Sequence, residues 1–505
     1  MNRPHHLNGR TLLVLFTMMV ALIAAGALAA DPPVTVAIGV TGTAVPGATV
    51  SAKATVTIND GSSLQSIQWK QVSGATAQIS GATTNTITVT LPDRKAYREE
   101  LALVLEEPPA TADVLPPSVP YPAGYEGGLA NRFGVAAVSP HALAEAGAIG
   151  FDITVVTSSG TYHSKNSIAT TIPWTEATGI RNVPTLLPVV LHGKNQTSYN
   201  WTLTPPAGSK SVLTDATTQN PEFTPDMAGK YTVKVTDLAD NSEKTMVVYA
   251  GTWRGIITGQ DESGAPIVDT ACTTCHVPNT PNFDMFTPWK KSGHAQIFSQ
   301  NVSVAGHYSQ SCLSCHSVGF NKDVKNGGMD DAPDFEALAA SGLIEHGATD
   351  NWNQILTQYP ASAKLANIQC ENCHGPQDSA AHTARDGSRQ NLSSDICGSC
   401  HGEPARHGRF QQWQLSGHAN LETAISEGTN PSCAKCHSAQ GFVQWANSGF
   451  GSGAITVDWT EDTVQAQTCA TCHDPHFVGT TSGLAANDAS VRVSGTTPML
   501  DAGFQ

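Results

Sequence analysis

The arrangement of the cysteines constrains this chain more than any other feature of its sequence. All twelve cysteines fall into six copies of the pattern Cys-x-x-Cys-His, and none is left over. A disulfide framework has no use for a histidine after every second cysteine, and a zinc site needs two Cys-x-x-Cys pairs for each metal. A thioredoxin-like redox dithiol occurs once, on a βαβ pattern. The six motifs, numbered one to six along the chain, are Cys272/Cys275/His276, Cys312/Cys315/His316, Cys370/Cys373/His374, Cys397/Cys400/His401, Cys433/Cys436/His437 and Cys469/Cys472/His473.

The chemistry that uses two thiols and an adjoining imidazole together is the covalent attachment of haem. Thiols three positions apart can form thioethers with the two vinyl groups of one haem, and the next histidine reaches the iron from the same side. The sequence therefore predicts six c-type haems, with all twelve motif cysteines as thioether residues. The predicted proximal iron ligands are His276, His316, His374, His401, His437 and His473.

The ligand on the distal side decides what each haem can do. A methionine there raises the potential, and an open position permits ligand binding and catalysis. Seven non-motif histidines follow Cys272, which favours bis-histidine ligation of every iron. One of them, His346, stands apart from any motif near a predicted helix over 335–344, so a surface role is the plainer interpretation. The candidate distal ligands are His294, His307, His382, His407, His418 and His476, and the sequence leaves their pairing with individual haems open.

Two of these candidates lie in an internal repeat. Trp289-Lys-Lys-Ser-Gly-His294 matches Trp413-Gln-Leu-Ser-Gly-His418. Each segment is followed by a haem motif that continues through serine to Gly-Phe. A repeated histidine before a repeated motif indicates a repeated ligand.

The N-terminal half is different in kind, since it contains no cysteine and has many runs that alternate apolar and polar residues, such as 87–91, 151–155 and 231–235. This alternation predicts antiparallel β-sandwiches that are similar to PKD or immunoglobulin-like domains. Trp69 and Trp201 are predicted core residues, and the segment ending in Tyr231 resembles a tyrosine corner. The predicted fold class is therefore multidomain: all-β sandwiches, then an irregular, mostly α and loop cytochrome region.

The domain limits follow from these shifts in composition. Residues 1–29 have the basic start, apolar run and small-residue end of a signal peptide. We predict a first sandwich at 31–180 with a Pro-rich insert at 108–122, and a second sandwich at 181–252. The hexahaem region then covers 262–480, and a tail covers 481–505. Six cofactors in so short a region suggest that the haems, rather than side chains, form its core.

The net charge of −15 limits the kinds of partner. Nucleic acid and anionic lipid both need a basic surface, so neither is expected. The predicted signal peptide implies export to the periplasm, the cell surface or beyond, with no membrane span after cleavage. A calcium ion at the acidic loop of Asp330, Asp331 and Asp334 is a further expectation, with a solvated loop as the plainer alternative.

The haem region resembles a known group of proteins. The segments WKKSGHAQIF, HYSQSCLSCHSVGF, NIQCENCHGP and TCATCHDPH resemble the multihaem cytochromes exported by dissimilatory metal-reducing bacteria. The resemblance implies closely stacked bis-histidine haems that carry electrons toward metal oxides, other extracellular acceptors or partner cytochromes. A subset of this interpretation makes the chain a self-assembling filament subunit.

Two alternatives remain open from sequence. A multihaem reductase would act on a small nitrogen or sulfur compound at one open haem, but such enzymes often mark that haem with an altered motif. All six motifs here are regular, so we expect electron transfer rather than substrate conversion. In the second alternative the sandwiches carry the main role, in adhesion or docking, and the haems serve as a relay.

Overall fold

The structure is a computed structural model, and it describes residues 32–106, 134–135, 147–172, 178–193, 198–238, 241–276, 284–304, 306, 308–402, 409–414, 416–461 and 463–476. The predicted signal peptide, Pro-rich insert and tail, together with His307 and His407, lie outside these residues. The chain divides into two compact units, Met1–Leu91 with Ile149–Ile168 and Pro92–Ala148 with Ala169–Gln505.

The strands in the described residues are short to medium in length, and their bounds follow. They are β1 Val34–Thr41, β2 Thr49–Ile58, β3 Leu64–Ser73, β4 Gln78–Ser80, β5 Thr86–Thr90, β6 Gly134–Val135, β7 Ala148–Thr157, β8 Thr161–Ala169, β9 Asn182–Pro184, β10 Val189–His192, β11 Tyr199–Thr204, β12 Glu222–Phe223, β13 Gly229–Asp237, β14 Glu243–Thr252, β15 Ile257–Gln260, β16 Pro266–Val268 and β17 Asp378–Ser379.

The α-helices are concentrated after residue 269. They are α1 Arg94–Glu106, α2 Thr270–Thr273, α3 Phe286–Lys290, α4 Ile297–Asn301, α5 Leu313–His316, α6 Phe335–Ser341, α7 Asn351–Gln358, α8 Pro360–Ala363, α9 Cys370–His374, α10 Asp395–His401, α11 Arg409–Gln414, α12 Leu421–Glu427, α13 Ala434–His437, α14 Ala439–Asn447 and α15 Cys469–Cys472. Short 3₁₀ turns lie at Gln310–Cys312, Met329–Asp331, Ala380–His382 and Gly417–Ala419.

The first unit is built from two antiparallel sheets, in the orders β1-β2-β5-β4 and β3-β7-β8. Strand β7 shows why the sequence folds this way, because its alternate residues Ile149, Phe151, Ile153 and Val155 are all fully buried. The ring of Trp69 meets Phe151 edge-on at 5.7 Å. The predicted alternation and the predicted core role of Trp69 are therefore confirmed.

A second two-sheet sandwich lies in the second unit, with orders β12-β10-β6 and β11-β13-β14-β17. Its core contains Trp201, Phe223 and Tyr231, and residues of both sheets contribute to it. The Tyr231 hydroxyl donates to the backbone oxygen of Met227 at 2.9 Å, which is the bond that defines a tyrosine corner. The N-terminal half of the chain is thus β-rich and sandwich-like, as the sequence predicts.

Helix α1 is an addition that the sequence pattern did not predict. Its Tyr97 is fully buried, and the hydroxyl bonds that of Thr170 at 2.8 Å. Arg94 and Arg98 both pair with the carboxylate of Glu222 in β12, in each case at 3.0 Å. The helix is therefore fixed to the edge of the second sandwich.

In the described residues, the region after residue 253 consists of the β15–β16 hairpin, the two-residue strand β17 and short helices, of which the longest has nine residues. Two clusters of buried apolar side chains stabilise it, one around Phe298 and Trp352 and one around Trp459. The expectation that the cofactors alone would form the core is wrong in this respect. Helix α6 covers most of the predicted 335–344 segment and ends where Gly342 takes a left-handed φ of 77°.

Candidate functional site

All six Cys-x-x-Cys-His motifs lie on or against a short helical turn. The helices concerned are α2, the 3₁₀ turn before α5 together with α5, and α9, α10, α13 and α15. Residues three and four apart share one face of a helix, so this conformation turns both thiols of a motif and its histidine toward one side. Although all twelve cysteines lie in the described residues, none is joined in a disulfide. The motifs thus present thiol pairs in the form that haem attachment requires.

The motifs differ in how far the protein covers their thiols. The second cysteine of the first motif, Cys275, and that of the fifth motif, Cys436, are exposed, whereas the other ten cysteines are partly buried. The physical reason is the thinness of the local packing, since α2 buries none of its residues and α13 buries only Ala434. As thioether residues, Cys275 and Cys436 stay a prediction, and each would hold its vinyl-derived bond at the protein surface.

Two of the predicted proximal ligands are exposed in the same way. The imidazoles of His401 and His473 lie at the surface, although each follows a partly buried pair of thiols. Both histidines end a helical turn, where the chain leaves the packed part of the motif.

Capping interactions fix the start of several of these turns. Asp269 accepts a hydrogen bond from the Ala271 backbone before the first motif. The third motif begins with a capping box between Gln369 and Asn372, and the sixth with one between Thr468 and Thr471. Since these turns are far too short to be stable alone, the caps and the surrounding packing hold them.

Three motif histidines lie opposite three of the candidate distal histidines. The imidazole centroids are 6.4 Å apart for His276 and His382, 6.2 Å for His294 and His401, and 6.2 Å for His374 and His476. Two iron–nitrogen bonds of about 2 Å plus the ring radii put the centroids of a bis-histidine iron site roughly 6 Å apart. The spacing of each pair therefore fits one iron between the rings.

Hydrogen bonds at Nδ1 determine which ring nitrogen carries the proton in two of these imidazoles. Nδ1 of His374 lies 2.6 Å from the Arg389 carbonyl oxygen, and Nδ1 of His382 lies 3.1 Å from the Gln377 carbonyl oxygen. A carbonyl only accepts, so Nδ1 must carry the proton and Nε2 keeps its lone pair. Nδ1 of His476 lies 3.5 Å from a carboxylate oxygen of Asp474. Such partners are typical of metal-bound histidines.

Burial keeps several of these rings neutral. It lowers the pKa of His294 to about 4, with the neighbouring His401 acting in the same direction. Burial also lowers the pKa of His374, and partial desolvation lowers that of His382, although this residue is exposed. A neutral imidazole is the form that binds iron, so the donor set fits the group that the motifs predict.

Thiols of different motifs also come together. The Cys315 thiol contacts that of Cys400, which lowers the pKa of Cys315 to about 6. The thiols of Cys397 and Cys469 form a second such contact. The fourth motif therefore lies close to both the second and the sixth. Within the third motif, burial raises the pKa of Cys373 to about 11.

The internal repeat extends further in the structure than in the sequence. Trp289 Nε1 donates to the Ile368 carbonyl at 3.0 Å, and Trp413 Nε1 donates to the Gln467 carbonyl at 2.7 Å. Both acceptors precede the first cysteine of a haem motif by two residues. In each repeat the tryptophan is therefore hydrogen-bonded to the segment just before a haem motif, and this motif is the second one that follows the tryptophan in the chain. His294 of the first repeat is paired, whereas His418 of the second is exposed.

The second sandwich contacts the third motif directly, because β14 pairs with β17 at Gly251 and Ser379. Asn182, on the neighbouring strand β9, donates from Nδ2 to the His374 carbonyl at 3.0 Å and to the Pro376 carbonyl at 2.8 Å. Gly375 has a φ of 72°, and a Cβ there would collide with the Asn182 carbonyl oxygen. The peptide after the third-motif histidine is therefore held by the sandwich.

A buried carboxylate completes this junction. Glu371 is 1 % exposed and accepts hydrogen bonds from the backbone nitrogens of Gln377 at 2.6 Å and Gly255 at 2.7 Å, with a longer bond from Arg254. Burial raises its pKa. Neither Glu371 nor Asn182 could be recognised from sequence, because nothing in their local pattern marks a partner so distant in the chain.

The acidic loop has structural partners of its own. Asp330 accepts from the Asn321 backbone at 2.8 Å, and Asp331 accepts from Asn326 at 2.7 Å. Asp334 accepts from the Ser362 backbone at 2.8 Å. Among the described residues, no group of three or more His, Cys, Asp or Glu side chains is placed to hold a metal ion unaided. Calcium binding stays a prediction that nothing here supports.

The remaining histidines differ in their contacts and in their exposure. His316 stacks on Tyr308 at 5.5 Å, with its Nδ1 3.2 Å from the tyrosine hydroxyl. His418 is exposed and His437 is partly buried, and neither belongs to the three histidine pairs found in the described residues. His346 is exposed. The contact of Tyr308 with His316 was not predicted, although the position of Tyr308 shortly before the second motif could have suggested it.

Comparisons with known proteins add little to this description of the site. No protein-family model matches the chain, and no curated protein matches it. Among solved structures, a domain of intimin is 10 % identical and covers 43 % of this chain and 99 % of its own, with a TM-score of 0.15.

Two further structures are similar to the same degree. Three N-terminal domains of the outer capsid protein Hoc of bacteriophage RB49 are 15 % identical and cover 45 % of this chain and 63 % of their own, with a TM-score of 0.14. An I-band fragment of titin is 11 % identical and covers 44 % and 66 %, also with a TM-score of 0.14. At these TM-scores the likeness carries no argument about function. In the described residues, no helix is both long and apolar enough to cross a membrane.

Proposed function

We propose that this chain is an exported c-type cytochrome that carries six covalent haems and passes electrons through them. The observation that carries the proposal is the set of three imidazole pairs, His276 with His382, His294 with His401 and His374 with His476. Each joins a motif histidine to a candidate distal histidine. Chance packing of histidines gives no reason for a motif histidine to lie opposite a candidate distal histidine three times at one spacing.

At the three paired sites, two imidazoles for each iron would favour electron transfer over catalysis. Haem iron supplies one-electron redox chemistry, and an iron held by two imidazoles has no position left for a substrate. The chain's own contribution is to orient the rings through Nδ1, keep them neutral by burial and fix the thiols on helical turns. These are the tasks of a protein that tunes and spaces redox centres rather than one that binds a substrate.

Close spacing of the centres is the second requirement for conduction. The thiol contacts between Cys315 and Cys400 and between Cys397 and Cys469 support it, because each thiol would bond to the edge of a different haem. In this proposal the fourth motif is a junction between the second and the sixth. Electrons would leave for a partner cytochrome or an extracellular acceptor such as a metal oxide, whether the protein is periplasmic, surface-bound or filament-forming.

Two measurements on the purified full-length protein test the proposal. A pyridine haemochrome assay with intact mass should give six covalent haems per chain. EPR of the oxidised protein should then show low-spin ferric signals alone. Fewer than six haems would contradict the predicted stoichiometry. A persistent high-spin signal that shifts on addition of nitrite would instead support the reductase alternative.

A further inference from the structure

We propose that Arg389 is a positioning residue for the third haem site, formed by Cys370, Cys373 and His374, and that its partly buried charge favours the reduced state there. This inference rests on the proposed function. It concerns a residue outside every motif, between the third and the fourth.

The first observation is a reciprocal pair of hydrogen bonds. His374 Nδ1 donates to the backbone oxygen of Arg389 at 2.6 Å, and Arg389 Nε donates to the backbone oxygen of His374 at 3.1 Å. A longer contact of 3.5 Å joins Arg389 Nη2 to the Gly375 carbonyl. The side chain of each residue therefore holds the main chain of the other. This fixes both the rotation of the imidazole and the peptide that follows it.

The second observation is the state of the guanidinium charge. Among the described residues no carboxylate forms an ion pair with Arg389, whose hydrogen bonds go to carbonyl oxygens. The guanidinium is partly buried beside the third motif.

The sign of the electrostatic effect follows from the redox step. Reduction of ferric to ferrous iron lowers the charge of the site by one, so a nearby partly buried cation favours the reduced form and raises the potential. Glu371 is the neighbouring group of opposite charge. It is held by backbone N–H groups rather than by an ion pair with Arg389, so it stays in place when Arg389 is replaced.

Two substitutions separate charge from geometry. Arg389→Gln removes both the positive charge and the planar N–H donors of the guanidinium group. Arg389→Lys keeps the charge but cannot reproduce the planar donors that reach two carbonyls. Arg385→Gln is the matched control, because Arg385 is an exposed arginine in the same segment.

The experiment uses the holoprotein with its haem count verified in each variant. In a spectroscopic redox titration, Arg389→Gln should move one of the six components to lower potential, while Arg389→Lys and Arg385→Gln leave all six in place. In EPR, both Arg389 variants should change the signal of one low-spin haem, and Arg385→Gln should not.

The outcomes distinguish the two proposals. A wild-type protein without six low-spin haems would refute the proposed function itself. A six-haem Arg389→Gln protein whose titration and EPR superimpose on wild type, or an equal shift in Arg385→Gln, would refute the role of Arg389 alone. If Arg389→Gln fails to load the third site, the EPR of Arg389→Lys decides, since an unchanged signal there excludes positioning.

Discussion

The imidazole planes of His374 and His476 lie only 8° from parallel, with their centroids 6.2 Å apart. The planes of the other two pairs are inclined by 44° and 47°. In low-spin ferric haems the EPR signal becomes more rhombic as the two imidazole planes approach parallel. The site of His374 should therefore give the most rhombic signal of these three.

Replacement of His476 tests this assignment. In His476→Ala, one of six irons loses its distal ligand, so we expect one high-spin ferric haem that binds cyanide, and loss of the most rhombic signal. His346→Ala is the control, because His346 is exposed and lies in no ring pair. EPR and cyanide titration measure both effects. A fully low-spin His476→Ala protein would show that His476 is not an axial ligand.

Asn182 should contribute to the stability of the junction between the second sandwich and the third motif. It donates to two carbonyls and accepts from the Ser379 hydroxyl at 2.7 Å, all in a residue that is 3 % exposed. At about 1 kcal/mol for each bond, Asn182→Ala should lower the stability of this unit by about 2–3 kcal/mol. Thermal or urea unfolding followed by circular dichroism measures the fall in midpoint. Asn200→Ala, at an exposed site on β11, should leave it unchanged.

Glu371 should matter as an acceptor more than as a charge. Glu371→Ala leaves buried backbone N–H groups without acceptors, at about 1–3 kcal/mol for each group, whereas Glu371→Gln keeps one acceptor oxygen. We expect haem loading of the third motif to fall markedly in the alanine variant and mildly in the glutamine variant. Mass spectrometry of the haem-bearing peptides measures loading. Equal loading in Glu371→Ala and in the exposed control Glu336→Ala would contradict this role.

The tyrosine corner should make the second sandwich sensitive to acid. Hydrogen bonds from the Ser209 hydroxyl, then the Lys210 backbone, lower the pKa of Asp226 from 3.8 to about 2. A lowered pKa stabilises the fold above the unfolded value, so this contribution is lost as pH falls from 3.8 through about 2. Asp226→Asn should flatten that dependence. Amide hydrogen exchange of β11 and β13 between these pH values measures it, with the surface variant Asp323→Asn retaining the wild-type slope.

The local features of the fold were predictable because they depend on neighbouring residues. The alternation of apolar and polar residues along β7 predicted its buried face, and the segment before Tyr231 predicted the tyrosine corner. Helix α1 escaped prediction, although Lys95 and Glu99 are spaced as an i,i+4 pair, because it interrupts a long β-rich stretch. The two-residue strand β17 has no pattern of its own, since it forms only by pairing with the end of β14.

The features of the candidate site likewise divide into those that the local sequence predicts and those that depend on tertiary packing. The Cys-x-x-Cys-His spacing predicts which residues attach each haem, and the supply of histidines predicts that distal partners exist. The pairing of His294 with His401 and of His374 with His476 depends on tertiary packing between distant segments, which spacing does not encode. Arg389 carries no sequence signal at all, because its role depends on which carbonyl lies beside its side chain.

Exposure is a further property that the motif spacing does not encode. The six motifs are alike in sequence, yet Cys275 and Cys436 are exposed where their counterparts in the other four motifs are partly buried. The difference depends on which segments pack over each helical turn, and those segments lie elsewhere in the chain.

The order of the paired histidines has a consequence for biogenesis. His276 and His374 each precede their partners, His382 and His476, so an exported chain delivers the motif before the second imidazole. A haem attached at the third motif would spend the interval with one axial position exposed to water, oxygen or any small ligand in the compartment. Closure of that position waits for the segment after the sixth motif. In this proposal the third haem site is therefore completed only by a segment about a hundred residues further along the chain.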